Sequence, residues 1–345
     1  MFALVLTLVI LMFLVFVYLS LCLILSFRIH KALFLHRERD SHGVYVRYEE
    51  IQDRVSRDSY TTYYYGKQIN GYLYHSKEKK AEKGFVILSH GKFGTHIQYL
   101  VDILRLVDNG YQVLAYDQLG SGMSQGEEQQ ALATGIYVAE NVIHDVLKRK
   151  LNKGLPLFVY GHSWGAYSRA GAIGNYKEIK GAVIRSAPID ENSSVLGTRK
   201  EKNPRLYYFL RPAYRFCMLL IEGRRFTLSA VRGVKKNKRT PVLMIYSMDD
   251  QMVSNKASLA LYFKKHPQKN VKVFITEKGL HNSIITEESY KWFVTENKKR
   301  KEEQKKGTKE KKEEEILSLH PLSHIVYNRV VVKEILDFLD DKSKA

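Results

Sequence analysis

The chain has 345 residues, 45% of them hydrophobic, which suffices for one large α/β domain or two modest ones with a packed core. Its two cysteines, Cys22 and Cys217, exclude a disulfide framework, and no C-x-x-C metal spacing occurs. The formal charge of +19 is unevenly placed: 13 Lys or Arg residues stand between Arg199 and Arg239, against Glu201 and Glu222.

In chain order, Met1 to Phe27 carries no charged side chain. With a rise of about 1.5 Å per helical residue, this stretch crosses a hydrocarbon core of roughly 30 Å. A cleaved signal peptide calls for a charged n-region, a shorter apolar core and small residues at a cleavage site. None of these is present, and Leu19-Ser20-Leu21-Cys22 lacks the small residue expected just before a lipidated cysteine. Residues 1–27 are therefore predicted to form an uncleaved, single-pass membrane helix. Arg28, His30, Lys31, Arg37 and Arg39 follow it and nothing basic precedes it, so the positive-inside bias puts the rest of the chain in the cytoplasm. Residues 28–43 read as a juxtamembrane connector and 44–345 as the folded domain.

Tyr60 to Tyr74 alternates aromatic and polar residues around Gly66 and Asn70-Gly71, the chemistry of an antiparallel ribbon. Apolar, strand-like runs follow at Phe85–Ser89, Gln112–Tyr116, Leu157–Tyr160, Ala182–Arg185, Val242–Tyr246 and Val271–Thr276. Helical patterns at Ile97–Asp108, Ala131–Leu151 and Trp164–Asn175 separate several of them. This alternation predicts an α/β fold, a mostly parallel central sheet with helices on both faces. Two segments interrupt it. Residues 189–240 hold two strands far apart, and 298–315, KKRKEEQKKGTKEKKEEE, is a charged insertion that cannot build a core.

Ser163 lies in Gly161-His162-Ser163-Trp164-Gly165, after the strand Leu157–Tyr160 and before a helix with Ala166, Ala170 and Ala172. A nucleophile elbow needs that context, because the glycines permit the tight turn that lifts the serine Oγ above the sheet. A plain glycine turn with a capping serine is the competing reading, and three features weigh against it. The strand Phe85–Ser89 ends in His90-Gly91-Lys92-Phe93-Gly94, whose backbone can supply an oxyanion donor; the predicted donors are the N–H groups of Lys92 and Trp164. The strand Val242–Tyr246 leads to Asp249-Asp250, either of which can orient a histidine, with Asp190 a remoter candidate. The strand Val271–Thr276 leads to Gly279-Leu280-His281, and His281 is the predicted general base. The chain order serine, acid, histidine suits this architecture. His90 and His162 are read as structural, and His96 as incidental.

With His90-Gly91, the turn Asp117-Gln118-Leu119-Gly120-Ser121-Gly122-Met123-Ser124-Gln125-Gly126, the elbow, Asp250 and His281, the chain resembles the α/β-hydrolase superfamily from Tyr60 onward. Within it the chain looks most like the serine aminopeptidase S33 or monoacylglycerol-lipase-like hydrolases. Leu119 departs from the arginine usual in that turn, which is read as structural. Such families commonly carry G-x-x-D-x-x-V at the acid; Ser247-x-x-Asp250-x-x-Val253 fits with serine for glycine and favours Asp250 over Asp249. The resemblance implies that 189–240 is a lid insertion. Its apolar and aromatic residues mixed with arginines suit either packing on the domain or contact with an anionic lipid surface. Nucleic acid is disfavoured, because no recognised motif accompanies the arginines.

The implied function is a membrane-anchored serine hydrolase cleaving carboxylic esters, such as lysophospholipids or monoacylglycerols, through an acyl-enzyme. An S33-type peptidase, a thioesterase, an acyltransferase and a catalytically silent scaffold are the alternatives. The mechanism calls for no cofactor and no metal.

Overall fold

The computed structural model describes residues 1–38, 43–78, 83–195, 203–305 and 318–344. The six apolar runs form parallel strands: β3 (Gly84–Ser89), β4 (Tyr111–Tyr116), β5 (Leu157–His162), β6 (Ile179–Arg185), β7 (Val242–Ser247) and β8 (Val271–Thr276). The ribbon β1 (Val55–Tyr64) and β2 (Lys67–Ser76) joins antiparallel at one edge, giving the order β1-β2-β4-β3-β5-β6-β7-β8. Every residue of β3, β5 and β7 is buried, as expected where helices cover both faces. Alternate side chains divide between two cores. Phe85 and Ile87 pack with α3 (Thr134–Lys148), α4 (Trp164–Ala172), α6 (Ala230–Lys236) and α7 (Leu259–Lys265). Val86 and Leu88 pack with α2 (Leu100–Asp108) and the C-terminal α9 (Arg329–Ser343).

Several boundaries differ from the sequence reading. The ribbon turns at Tyr65-Gly66, whose φ values of 46° and 75° suit a primed hairpin turn, and Asn70-Gly71 lies inside β2. Gly71 serves a different purpose there, since a Cβ would lie 2.2 Å from the Ala115 carbonyl oxygen of β4.

Helix α1 (Phe2–Phe34) runs past Arg28 without a break and is long and apolar enough to cross a membrane. Residues 28–38 are correspondingly more than a connector. The amide of Gln129 donates to the Phe34 carbonyl at 2.9 Å, and Glu38 pairs with Gly120 and Gly122 through backbone bonds of 2.8 Å. Arg37 donates to the carbonyls of Gly126 at 2.7 Å and Gly122 at 2.5 Å. A guanidinium from the end of the apolar helix thus braces the very turn in which Leu119 stands where an arginine is usual.

The 189–240 insertion divides into two parts. Helix α5 (Pro204–Glu222) lies along α1, whereas α6 belongs to the body. A Cβ at Gly233 of α6 would meet the Ala170 carbonyl of α4 at 2.2 Å, so the two helices touch backbone to backbone. Cys22, Ser26, His30 and Phe34 are the buried residues of α1, one per helical turn. Tyr18 meets Phe209 and His30 meets Glu222, so α1 and α5 run in the same direction. The charged insertion begins within α8 (Glu287–Lys305), and residues 306–315 lie outside those described.

Candidate active site

The elbow explains its glycines. Ser163 has φ 55°, a left-handed conformation that costs a non-glycine residue energy. A Cβ at Gly161 would lie 2.5 Å from the Gly165 carbonyl, and one at Gly165 would lie 2.1 Å from that of Ser89. The chain can therefore leave β5, turn at Ser163 and enter α4 only with hydrogen at both positions. The Ser163 amide donates to the Arg185 carbonyl at 2.9 Å, and its own carbonyl accepts from Tyr167 at 2.9 Å, so the strained residue is pinned on both sides.

His281 turns Nδ1 to Asp250, 2.8 Å from Oδ2 and 3.0 Å from Oδ1. Asp250 Oδ1 also accepts the amides of Met252 at 2.8 Å and Val253 at 3.0 Å, which fixes the carboxylate plane. Asp249, the rejected neighbour, has a different task. It accepts the Leu280 amide at 2.8 Å, the Gly279 amide at 3.3 Å and the Ser247 hydroxyl at 2.5 Å. Burial opposes its charge, but these hydrogen bonds outweigh burial and hold its carboxyl below the usual range. One aspartate thus faces the imidazole, and the next buckles the loop that carries it.

The carbonyl of His281 is held as well. The Ser186 hydroxyl donates to it at 3.1 Å, and His162 Nε2 lies 2.9 Å away. His162 Nδ1 faces the Tyr99 hydroxyl at 2.7 Å, which in turn accepts the Gly91 amide at 2.8 Å. These partners assign His162 as the Nε2–H tautomer. Burial, then the neighbouring His281 and Arg185, lowers its pKa well below the ordinary value, so it stays neutral. The relay from Gly91 through Tyr99 and His162 ties the glycine loop to the histidine loop. Sequence reasoning missed Tyr99, Ser186 and the work of Asp249, because each acts through a partner distant in the chain.

Gly91 lies against the elbow; a Cβ there would be 3.2 Å from the Ser163 Cβ. Lys92 and Trp164, the predicted oxyanion donors, line the same cavity as Ser163 and His281. Among the described residues neither backbone N–H has a protein acceptor. The Lys92 ammonium turns away to Gln129 and stands 4.0 Å from Glu38. His90 Nδ1 bonds the Gly91 carbonyl at 2.7 Å and its Nε2 accepts the Gln118 amide at 2.9 Å, a structural role. His96 is not incidental: with its amide at 2.7 Å and Nδ1 at 2.8 Å it caps Asp117 Oδ1 inside the Asp117–Gly126 turn. Asp190 accepts the Ser193 amide at 2.7 Å and does not contact His281. Beneath the floor, Asp102 accepts from Arg185 at 2.7 Å and Tyr160 at 2.5 Å, a fully buried charge pair that keeps the C-terminal ends of β5 and β6 in register.

The cavity measures about 820 Å³, within the range of small-molecule sites. Its walls are mostly apolar and include Leu33 and Phe34, the last turn of α1. Among the described residues two lysines, Lys92 and Lys298, line it, and no carboxylate does.

The sheet order, the crossover helices and the elbow after β5 are those of the α/β-hydrolase fold, and the chain is similar to members of that superfamily. Residues 80–214 match the family model for serine aminopeptidase, S33. The chain is 38% identical over 89 residues to a monoglyceride lipase of Saccharomyces cerevisiae, an alignment covering 24% of this chain and 28% of the yeast protein. It is 33% identical over 100 residues to a monoglyceride lipase homolog of Monkeypox virus, covering 28% of this chain and 36% of the viral protein. These curated relatives are thus matched over about a third of their length or less. Among solved structures, the Pyrococcus furiosus esterase Pf2001 superposes with a TM-score of 0.55 at 19% identity, covering 78% of this chain and 98% of the esterase, a likeness of fold.

Proposed function

We propose that this protein is a membrane-anchored serine hydrolase that cleaves carboxylic esters of amphiphilic acyl substrates, of the monoacylglycerol or lysophospholipid kind. One observation carries the reading: a serine at positive φ and a histidine backed by a fully bonded aspartate open into one apolar cavity. Ser163 attacks the ester carbonyl while His281 takes its proton. Asp250 holds the imidazole in the tautomer that accepts at Nε2 and stabilises the imidazolium. The N–H groups of Lys92 and Trp164 receive the developing oxyanion, where one such donor is worth about 3 kcal/mol. His281 returns the proton to the leaving alcohol, and water then cleaves the acyl-enzyme by the same steps.

Among the described residues the cavity presents no carboxylate to receive a substrate's α-ammonium, which favours an uncharged ester over a peptide amine. Apolar walls and the end of α1 suit an acyl chain arriving from a membrane. Sixteen residues of α1 precede Val17's neighbour Tyr18, where α5 begins to pack. They extend about 24 Å, so the start of α5 falls near the lipid interface. There α5 exposes Tyr208, Phe209, Arg205 and Arg215, a mixture suited to an anionic lipid surface. We take α5 as the lid, and the basic residues after Phe27 as setting the domain in the cytoplasm. Protease added to intact cells then leaves the domain whole; cleavage from outside refutes that orientation.

The test of the activity is Ser163→Ala in the full-length protein. Hydrolysis of p-nitrophenyl esters and monoacylglycerols falls by about 10⁴-fold or more, and a fluorophosphonate probe labels the wild type at Ser163 and not the variant. Retained turnover in the variant overturns the assignment.

A further inference from the structure

Outside the active site, three residues far apart in sequence meet inside the molecule. His30 of α1, Glu191 after β6 and Glu222 at the end of α5 bring one ring nitrogen and one carboxylate oxygen each within 4.8 Å of one another. The side chains of His30 and Glu222 are each 3% exposed, and Glu191 is 2% exposed. His30 Nδ1 lies 3.1 Å from Glu222 Oε1, yet neither atom makes a hydrogen bond. Glu222 Oε2 and Glu191 Oε1 meet no amide or hydroxyl donor either, and the two carboxyls lie within hydrogen-bond reach of one another.

Each buried polar atom left without a partner costs about 1–3 kcal/mol, and charged ones more. Four in one place call for a ligand. Nδ1 and Oε1 are at hydrogen-bond distance but make no hydrogen bond to each other. One imidazole nitrogen and two carboxylates gathered in a buried place are the donor set that a cation collects. The outer contacts fit as well. The Leu132 amide donates to Glu191 Oε2 at 3.1 Å, and the Gln130 backbone hydrogen-bonds the His30 ring. Metal ligands are held in orientation by partners of this sort.

We propose that His30, Glu191 and Glu222 bind one divalent transition-metal cation, of the zinc or manganese class, that fastens the lid helix α5 to α1. Imidazole nitrogen disfavours magnesium and calcium, and two carboxylates balance a charge of +2. The competing occupant is a proton. A proton would sit between the Glu191 and Glu222 carboxyls, which face one another. The cation ties α1, the loop after β6 and α5 into one unit, with Leu33 and Phe34 of the cavity wall one turn further along α1. Its loss frees α5 to move against α1.

The probe is zinc alone, and manganese in a parallel arm, added to full-length protein in lipid nanodiscs. Metal is counted by atomic emission after desalting, and the melting temperature is read before and after EDTA. The expected result is one zinc or manganese per chain, a melt several degrees lower after chelation, and recovery when the metal is restored. Glu222→Gln and, separately, His30→Gln lose both the bound metal and the metal-dependent shift, while circular dichroism shows them folded. The proposal is overturned if the wild type holds neither metal and its melt ignores both, the behaviour of a proton-sharing carboxyl pair. Retention of the metal by both variants overturns it equally.

Discussion

His281 and His30 each turn Nδ1 toward a buried carboxylate, and they end differently. His281 lies 2.8 Å from Asp250, and His30 lies 3.1 Å from Glu222. Asp250 also accepts the amides of Met252 and Val253 at Oδ1, and the His281 carbonyl is gripped by Ser186 and His162. Glu222 meets no amide or hydroxyl donor at either oxygen. The pairing of imidazole with carboxylate is therefore not a function in itself. Where backbone amides also hold the carboxylate, the pair is rigid and its free Nε2 can serve a reaction. Where they do not, the pair holds unused binding capacity. His96 and Asp117 make the same point from a third direction. They bond at 2.8 Å but are each 1% exposed, and their work is to shape a turn.

Asp250→Asn keeps the size of the side chain but presents an amide donor to Nδ1, which favours the wrong tautomer of His281. By analogy with other serine hydrolases, kcat falls about 10⁴-fold while the melting temperature stays close to the wild type. A variant within tenfold of wild-type turnover places the acid elsewhere. Asp249→Asn sharpens the contrast between touching the base and holding its loop. The loop around Leu280, itself at φ 52°, loses a charged acceptor for two amides. A displacement of His281 by a fraction of an ångström costs on the order of 10²-fold in kcat, with KM little changed. An effect as large as that of Asp250→Asn would falsify the division of labour between the two aspartates.

Much of the fold was legible in the sequence, for a physical reason. Strands buried on both faces must be apolar throughout, and the six runs from Phe85 to Thr276 stand out against helices of a longer period. The elbow was legible because Gly161 and Gly165 are required by local backbone contacts. The contributions that were not legible come from residues that act over long separations. Arg37 reaches Gly122 and Gly126, Tyr99 reaches His162, and His30 meets Glu191 and Glu222. Composition made 28–43 a connector, whereas its carbonyls and guanidinium are spent on the Asp117–Gly126 turn. Asn70-Gly71 misled for a related reason: its glycine answers a close approach by β4, which only the sheet order reveals.

Lys92 gives the smallest effect and joins the two regions being compared. It lines the cavity with Ser163, while its ammonium bonds Gln129, next to the Gln130–Leu132 segment that holds His30 and Glu191. Burial lowers its pKa from 10.5 to about 8, with the Glu38 carboxylate opposing the shift. The sign follows from proton binding. Between about pH 8 and 10.5 the unfolded chain keeps a proton that the folded chain has released, so stability rises with pH in that window. Below it both states are protonated, and the full cost of the buried charge is present. Relative to Lys92→Met, which has no such group, the wild type gains on the order of 1 kcal/mol between neutral pH and about pH 9. Parallel denaturant titrations of the two proteins in that range read the difference directly. A gap that stays flat, or that closes in the opposite sense, means that the Lys92 ammonium is solvated and that the wall between the two regions is wet.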